Sequence, residues 1–178
     1  MIEQFHIVTG GPGSGKSSLI SALQADGIRT MPEAGRAIIQ DQLATGGTAL
    51  PWADRRAFAA SMLAWEMRSY REALEGDGPI VFDRGIPDVI GYLRVCGLPV
   101  PASVLRAARV CRYAKLVFIT PHWPAIFIQD AERKQSAAEA QATNKAMIEV
   151  YTSLGYELVP LPLTSIPDRV RFMRAHIG

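Results

Sequence analysis

The sequence lacks the features of secreted and membrane-spanning proteins. It has only two cysteines, Cys96 and Cys111, without CxxC spacing, so a disulfide framework is not expected and a zinc site has too few soft ligands. No apolar run reaches the ~18 residues of a membrane span. The N-terminus, with Glu3 and His6, has no charged-then-apolar signal pattern. These absences predict a cytoplasmic chain with reduced, buried thiols and no membrane partner.

A strong excess of either charge is also absent. The formal net charge is +2 and the basic residues are scattered along the chain, which argues against a nucleic acid partner. Hydrophobic residues make up 48% and charged residues 20%, an ordinary globular balance. The sequence shows no internal repeat, low-complexity tract or linker. Its 178 residues therefore suit one domain, at 1–178, with a core of its own.

Short apolar segments alternate with longer helix-forming segments along the chain. Strands are predicted at 4–8, 28–31, 79–83, 115–120 and 156–162. Helices are predicted at 17–25, 33–43, 52–75, within 85–97, from 101, at 137–154 and after 165. This alternation indicates an α/β fold with three layers, a five-stranded parallel sheet and helices on both faces. Ligands of such sheets bind at the carboxyl ends of the strands.

The predicted helix at 52–75 carries its apolar residues at helical spacing. Leu63, Met67, Tyr70 and Leu74 are separated by four, three and four positions and define one face of the helix. Phe58, Met62 and Trp65 lie on an adjoining face. We interpret these aromatic and methionine side chains as core, because large apolar residues are usually buried.

A glycine-rich segment follows the first predicted strand. Residues 10–17 spell G-x-x-x-x-G-K-S, a loop whose N–H groups form a nest for phosphate oxygens at a helix N-terminus. Lys16 would bring a full charge to the terminal phosphates, and the Ser17 hydroxyl would bind Mg²⁺. The predicted donor is ATP. Its predicted binding residues are Gly11, Pro12, Gly13, Ser14, Gly15, Lys16, Ser17 and Ser18.

The third predicted strand ends in an acid that is followed by a base. Asp83 at the end of an apolar strand matches the Walker B arrangement and would hold Mg²⁺ directly or through water; the alternative is a helix or turn cap. Arg84 comes where an AAA+ machine usually has a second acid. A surface ion pair is the alternative for this arginine.

The segment "MPEAGR" after the second predicted strand supplies a second acid. Glu33 would face the crevice in which an acceptor lies, or would only complement the dipole of a helix N-terminus. Glu33 and Arg36 are three positions apart, hence on one helix face if the helix begins at Pro32.

The segment at about 121–136, after the fourth predicted strand, is the predicted lid. Arg133 and Lys134 would close over the phosphates and stabilise the transferred charge. Trp123 would either stack on a base or pack under the lid. His122 is more often structural than catalytic in a phosphoryl-transfer site.

These motifs together resemble those of a known group of kinases. The D-R-x step at 83–85 resembles the small nucleoside and nucleotide kinases, and the E-x-x-R step at 33–36 resembles the ribosylnicotinamide kinase domain of the bacterial NAD regulator. In layout the whole chain is similar to the P-loop kinase-like "predicted ATPase" families. The resemblance implies a P-loop kinase fold. It also implies that Glu33 is the general base for the attacking hydroxyl and that Arg84 reaches a phosphate or the sugar end of the acceptor.

The sequence therefore predicts a Mg²⁺-dependent P-loop phosphotransferase with ATP as donor and a small hydroxyl- or phosphate-bearing acceptor. The candidate catalytic residues are Lys16, Glu33, Asp83 and Arg133, the candidate acceptor-binding residues are Glu33, Arg36 and Arg84, and the candidate metal ligands are Ser17 and Asp83. Two alternatives stay open, an NTPase with water as acceptor and a nucleotide-sensing module with negligible turnover. A guanine-specific N-K-x-D motif is absent from the sequence, and the oligomeric state is left open.

Overall fold

Strands and helices alternate in the computed structural model, which describes residues 2–123 and 136–177. The strands are β1 (Phe5–Gly10), β2 (Arg29–Met31), β3 (Ile80–Asp83), β4 (Leu116–Thr120) and β5 (Glu157–Pro160). The helices are α1 (Lys16–Ala25), α2 (Ala34–Thr45), α3 (Arg55–Leu74), α4 (Ile86–Val95), α5 (Ala102–Val110), α6 (Ala137–Ser153) and α7 (Ile166–Ile177).

The strands form one parallel sheet in the order β2-β3-β1-β4-β5. β1 lies at the centre, and its register places Val8 beside Asp83 of β3 and Gly10 beside Thr120 of β4. The carboxyl ends of these three strands therefore meet at one edge, where a parallel sheet binds its ligands. The predicted five-stranded parallel sheet is confirmed.

Helices cover both faces of this sheet. Alternate residues of a strand point to opposite faces. One set, which includes Ile7, Phe82 and Val117, packs with Tyr70 of α3 and Tyr151 of α6. The other set, which includes Val8, Val81 and Phe118, packs with residues of α1 and α7 such as Leu19 and Met173. The strands are apolar on both sides because both sides are buried, and the predicted three-layer arrangement is confirmed.

Several helix boundaries differ from the sequence prediction, and two of them bear on the site. α3 begins at Arg55 rather than at 52, because Asp54 accepts hydrogen bonds from the N–H groups of Arg56 and Ala57 and caps the helix. α2 begins at Ala34, and Glu33 precedes it with an extended backbone. The prediction that Glu33 and Arg36 share a helix face is therefore wrong.

The buried stripe of α3 is offset from the apolar face that the sequence predicts. Leu74, assigned to that face, is 42% exposed. The buried residues of α3 are Phe58, Ala59, Glu66, Ser69, Tyr70 and Ala73. Two polar side chains, Glu66 and Ser69, are therefore among the buried residues of this helix.

Both cysteines are free thiols, and each is half-buried rather than fully buried. In the part of the chain that the structure describes, no helix combines the length and apolar character needed to cross a membrane.

Candidate functional site

The glycine-rich loop connects β1 to α1 at the carboxyl edge of the sheet. Gly13 and Gly15 have left-handed backbones, with φ of 69° and 78°, which glycine adopts without steric cost. A Cβ on Gly10 would lie 2.7 Å from the Thr120 carbonyl oxygen, and one on Gly11 would lie 2.6 Å from that of Ala140. These glycines therefore allow the loop to pack closely against β4 and α6.

The loop is fixed in place by a fully buried arginine on α7. Arg169 donates from Nη1 to the Ser14 carbonyl oxygen at 3.0 Å and from Nε to that of Pro162 at 2.8 Å. Its guanidinium lies over the Trp123 ring, 4.8 Å from the ring centroid, and burial lowers its pKa. The Ser14 hydroxyl donates to the Gly11 carbonyl oxygen at 2.8 Å. Trp123 thus packs against the residue that supports the loop.

The first turn of α1 fits an anion. The helix begins at Lys16, and the preceding residue, Gly15, makes no side-chain capping bond. The first N–H groups of a helix have no partner within the helix, and they carry its positive partial charge. Ser17 and Ser18 are exposed at this end. The loop and the first turn therefore fit the phosphates of a nucleotide.

Lys16 and Asp83 form a buried ion pair beside the loop. Their Nζ and Oδ1 atoms are 2.6 Å apart, and the side chains are 6% and 7% exposed. Asp83 thus pairs with the loop lysine, which disfavours the alternative of a cap. Among the described residues no cluster of three or more His, Cys, Asp or Glu side chains could hold a metal. Mg²⁺ usually binds to one or two protein oxygens and completes its shell with phosphates and waters, and Ser17 and Asp83 fit this requirement.

Arg84 connects two acids at the start of α4. Its Nε donates to Glu33 Oε1 at 3.1 Å and its Nη1 to Asp88 Oδ1 at 3.1 Å. The ion pair of the alternative interpretation is therefore present, but with a side chain only 13% exposed it is largely buried rather than on the surface. Burial alone would lower the pKa of Arg84, but the carboxylates of Glu33, Asp88 and Asp83 raise it above its ordinary value.

The backbone of Arg84 is strained. Its φ of 73° is the positive value of a non-glycine residue, and its N–H donates to the Val8 carbonyl oxygen at 3.0 Å. Such a conformation costs ~1–3 kcal/mol and persists where the surroundings fix it, often at functional sites. The turn aims the guanidinium between Glu33 and Asp88.

Asp88 is a buried acid that the sequence analysis did not find. It accepts hydrogen bonds from Thr9 Oγ1 at 2.6 Å, from the Gly85 N–H at 3.0 Å and from the Tyr151 hydroxyl at 2.5 Å, in addition to the bond from Arg84. These hydrogen bonds therefore connect β1, the start of α4 and α6. Its only sequence signal is an acid in the first turn of a helix, a common feature of surface helices.

A cavity of about 580 Å³ lies next to the loop, among α2, α3, α4 and α6. This volume is typical of small-molecule sites. Its polar lining includes Glu33, Glu66, Arg84 and Asp88, and its apolar lining includes Ile39, Phe58, Met62, Val89, Tyr92 and Met147. The phosphate-binding loop contributes Pro12. The cavity therefore borders the loop that is predicted to bind the donor.

Glu66 is the second acid that the sequence analysis missed. It is 4% exposed, and across residues 2–123 and 136–177 its carboxyl group has no hydrogen bond or ion pair. Burial, and then the charges of Asp88, Asp83 and Glu33, raise its pKa well above the usual range, whereas Arg84 opposes the shift. The neutral acid is thus the favoured form.

The structure brings most of the predicted residues together. Lys16, Asp83, Arg84 and Glu33 converge at the carboxyl edge of the sheet. Arg36 follows on α2 and is not among the described residues that line the cavity. Arg133 and Lys134, with most of the predicted lid, lie outside the described residues.

The comparisons with known proteins agree with this geometry. The family model described as "AAA domain" matches residues 5–169, which is nearly the whole chain. The chain belongs to the AAA domain family. No curated protein sequence is significantly similar to this AAA domain.

Several solved structures share the fold of this AAA domain. The deoxyadenosine kinase of M. mycoides aligns with a TM-score of 0.69 and 14% identity over 97% of this chain and 98% of that chain. The NadR protein in complex with NR aligns with a TM-score of 0.71 and 14% identity, covering 99% of this chain and 52% of that one. The thymidylate kinase of Ehrlichia chaffeensis aligns with a TM-score of 0.67 and 12% identity over 98% of each chain. The predicted P-loop kinase-like fold is confirmed.

Proposed function

We propose that this AAA domain is a Mg²⁺-dependent phosphotransferase that transfers a phosphoryl group from ATP to a hydroxyl group of a small nucleoside-like acceptor. The observation that supports it best is the position of the Glu33–Arg84 pair, at the wall of a cavity of about 580 Å³ beside the loop. Attack by water requires no such cavity. The aligned deoxyadenosine kinase structure supports this acceptor class, since dCMP is described there as a bound product.

On the donor side, Lys16 and the loop amides would bind the triphosphate. Ser17 and Asp83 would hold Mg²⁺, which when bound neutralises charge on the phosphates. The buried ion pair of Lys16 and Asp83 places the phosphate-binding cation next to the Mg²⁺-binding carboxylate.

On the acceptor side, Glu33 is the general base. Arg84 holds one of its oxygens at 3.1 Å, and this bond orients the carboxylate at the cavity wall. Arg84 in turn is held by Asp88, so the three side chains form one positioned unit. Arg84 also offers a positive charge to the transferred phosphoryl group, and we expect Arg133 of the lid segment to add a second.

The test separates transfer to the acceptor from transfer to water. A screen of nucleosides with ATP and Mg²⁺ first identifies an acceptor. Glu33→Gln should then lower the rate of transfer by ~10²–10⁴-fold, the usual contribution of a general base, with ATP binding unchanged. Hydrolysis of ATP without acceptor should respond less. Glu149→Gln, a change at an exposed acid on α6, is the matched control and should leave both rates unchanged.

Two results would contradict this assignment. If both rates fall together in the Glu33→Gln variant, the residue acts on water or Mg²⁺, and a hydrolase is favoured. If neither rate falls, Glu33 is only the acid before a helix, and Asp83 is the remaining candidate base.

A further inference from the structure

The cavity contains one acid without a partner. Glu33 is bonded to Arg84, and Asp88 accepts from several donors, but for Glu66 the described part of the chain offers neither a hydrogen-bond donor nor a cation within bonding distance. Burial of a polar group without a hydrogen bond is unfavourable, so such a group needs an explanation. Since Glu66 lines the cavity, a ligand in the cavity is the natural partner.

The charges around the cavity favour the neutral form of this acid. The described lining residues include four carboxyl groups and two guanidinium groups. Arg84 is already engaged by Glu33 and Asp88, and Arg55 donates from Nε to the Pro51 carbonyl oxygen at 3.0 Å. The charge of Asp83 also raises the pKa of Glu66, and Glu66 in turn raises the pKa of the Tyr113 hydroxyl.

A neutral carboxyl group has a distinct hydrogen-bonding pattern. It presents an O–H donor and a C=O acceptor side by side. This pair matches the edge of an amide or amidine, in which an acceptor and an N–H donor are adjacent. An ionised carboxylate, which only accepts, would match two donors instead.

The aromatic and methionine side chains that line the cavity are suited to binding a flat ring. Phe58 and Tyr92 are in edge-to-face contact with their centroids 5.4 Å apart, and Met62, one turn before Glu66 on α3, lines the same space. Aromatic and thioether groups bind planar rings well. The cavity thus offers both polar groups, Glu66 among them, and apolar side chains to a ligand.

We propose that Glu66 is a specificity-determining residue that binds the amide or amidine edge of a phosphate-free nucleoside, and that the site rejects nucleoside monophosphates. This inference rests on the proposed function and names the acceptor class. The phosphate of a nucleoside monophosphate would enter a cavity in which, besides the neutral Glu66, three carboxyl groups and two guanidinium groups belong to the described lining. Like charges in a site of low dielectric constant repel strongly.

The test uses the full chain and defined probes. Binding of adenosine, cytidine, purine riboside and adenosine 5′-monophosphate is measured by calorimetry with a non-hydrolysable ATP analogue and Mg²⁺ present. We expect adenosine or cytidine to bind, purine riboside, which lacks the amino group, to bind at least 10-fold more weakly than adenosine, and the monophosphate to bind more weakly than its nucleoside.

The variants distinguish the role of the acid. Glu66→Gln keeps a donor and an acceptor and should change nucleoside affinity less than ~3-fold. Glu66→Met keeps the volume without either atom and should lose ~10–100-fold, the effect of leaving a polar partner unpaired. Ser69→Ala, at a buried polar residue one turn later that does not line the cavity, is the control and should have no effect.

The inference is overturned if the monophosphate binds more tightly than the nucleoside, or if Glu66→Gln loses binding as fully as Glu66→Met. It is also overturned if Glu66→Gln binds nucleoside normally but loses transfer, because the acid then acts in its ionised form. If a nucleoside binds and is phosphorylated from ATP while Glu66→Met binds it as tightly as the natural chain does, only this inference fails. If ATP binding does not depend on Lys16, the proposed function itself fails.

Discussion

The ion pair of Lys16 and Asp83 places two charges in a buried environment, with exposed fractions of 6% and 7%. Loss of one partner leaves the other charge buried and uncompensated, which costs ~3–5 kcal/mol. We therefore expect Lys16→Met to abolish the stabilisation of the protein by ATP and also to lower its free energy of unfolding by about that amount. Urea unfolding with and without ATP measures both effects.

The double variant provides the control for this prediction. Lys16→Met with Asp83→Asn removes both charges, so its loss of stability should be smaller than the sum of the two single losses. Additive losses would show that the two charges are not coupled, and nucleotide binding by either variant with Met at position 16 would contradict the role of Lys16.

A second prediction at the residue scale concerns two glycines with positive φ. Gly10→Ala places a Cβ 2.7 Å from the Thr120 carbonyl oxygen, so backbone strain and a steric clash should together cost about 3 kcal/mol or more. Gly97→Ala, at φ 66° with no atom within 4 Å of the new Cβ, should cost only ~1–2 kcal/mol. Thermal unfolding of the two variants compares them, and equal losses would mean that close packing of the loop against β4 contributes nothing.

The candidate role of a single residue could be predicted from the sequence only where neighbouring residues form a recognisable motif. The loop and Asp83 were recognisable because the glycines, the lysine and the strand-end acid have fixed spacing. Glu66 and Asp88 had no such signal, because their burial depends on elements that meet only in the folded chain. Arg169 was missed for the same reason: it supports the loop from 155 positions away.

At the scale of elements, the N-terminus of α3 positions one wall of the cavity. Asp54 caps the helix through the N–H groups of Arg56 and Ala57, at 3.1 and 2.9 Å. Asp54→Ala should therefore lower the free energy of unfolding by ~1 kcal/mol, whereas Asp54→Asn, which retains a capping oxygen, should have a smaller effect. Chemical denaturation gives both values, and an unchanged stability in Asp54→Ala would contradict the capping role.

The elements themselves were largely predictable, whereas their ends and buried faces were not. Each strand of the sheet is a short apolar run, so the pattern alone located it. α3 shows the limit: apolar spacing suggested that Leu74 is buried, but Leu74 is exposed, whereas Glu66 and Ser69 are buried. Periodicity counts apolar residues, so it cannot identify a buried stripe that includes functional polar groups.

At the scale of the whole molecule, the pH dependence of stability should carry the signature of Glu66. Burial, with Asp88, Asp83 and Glu33, raises its pKa above the ordinary value of 4.5. A group that binds its proton more tightly when folded contributes stability at low pH, and that stability is lost as the pH rises from the unfolded towards the folded pKa. Because glutamine does not titrate, the Glu66→Gln variant should not lose stability in this way as the pH rises.

The measurement is urea unfolding at several pH values. The stability of the Glu66→Gln variant relative to the natural chain should rise as the pH increases above about 4.5 and should then reach a plateau. The stability of the Glu149→Gln variant, which changes an exposed position, should depend on pH in the same way as that of the natural chain. A constant difference between the Glu66→Gln variant and the natural chain at all pH values would contradict the raised pKa.

The order of strands also has a consequence for how the chain acquires its structure. β1 pairs with β3 and β4, and Thr9 and Thr120, which meet at the ligand edge, are 111 positions apart in the chain. A ribosome adds ~5–20 residues per second. After β1 has been synthesised, several seconds therefore pass before its second neighbour, β4, is available for pairing. Contacts between distant segments also slow folding in general. During synthesis, the apolar strand that leads into the phosphate-binding loop is therefore the segment most exposed to mispairing, and it is where we expect chaperones to act.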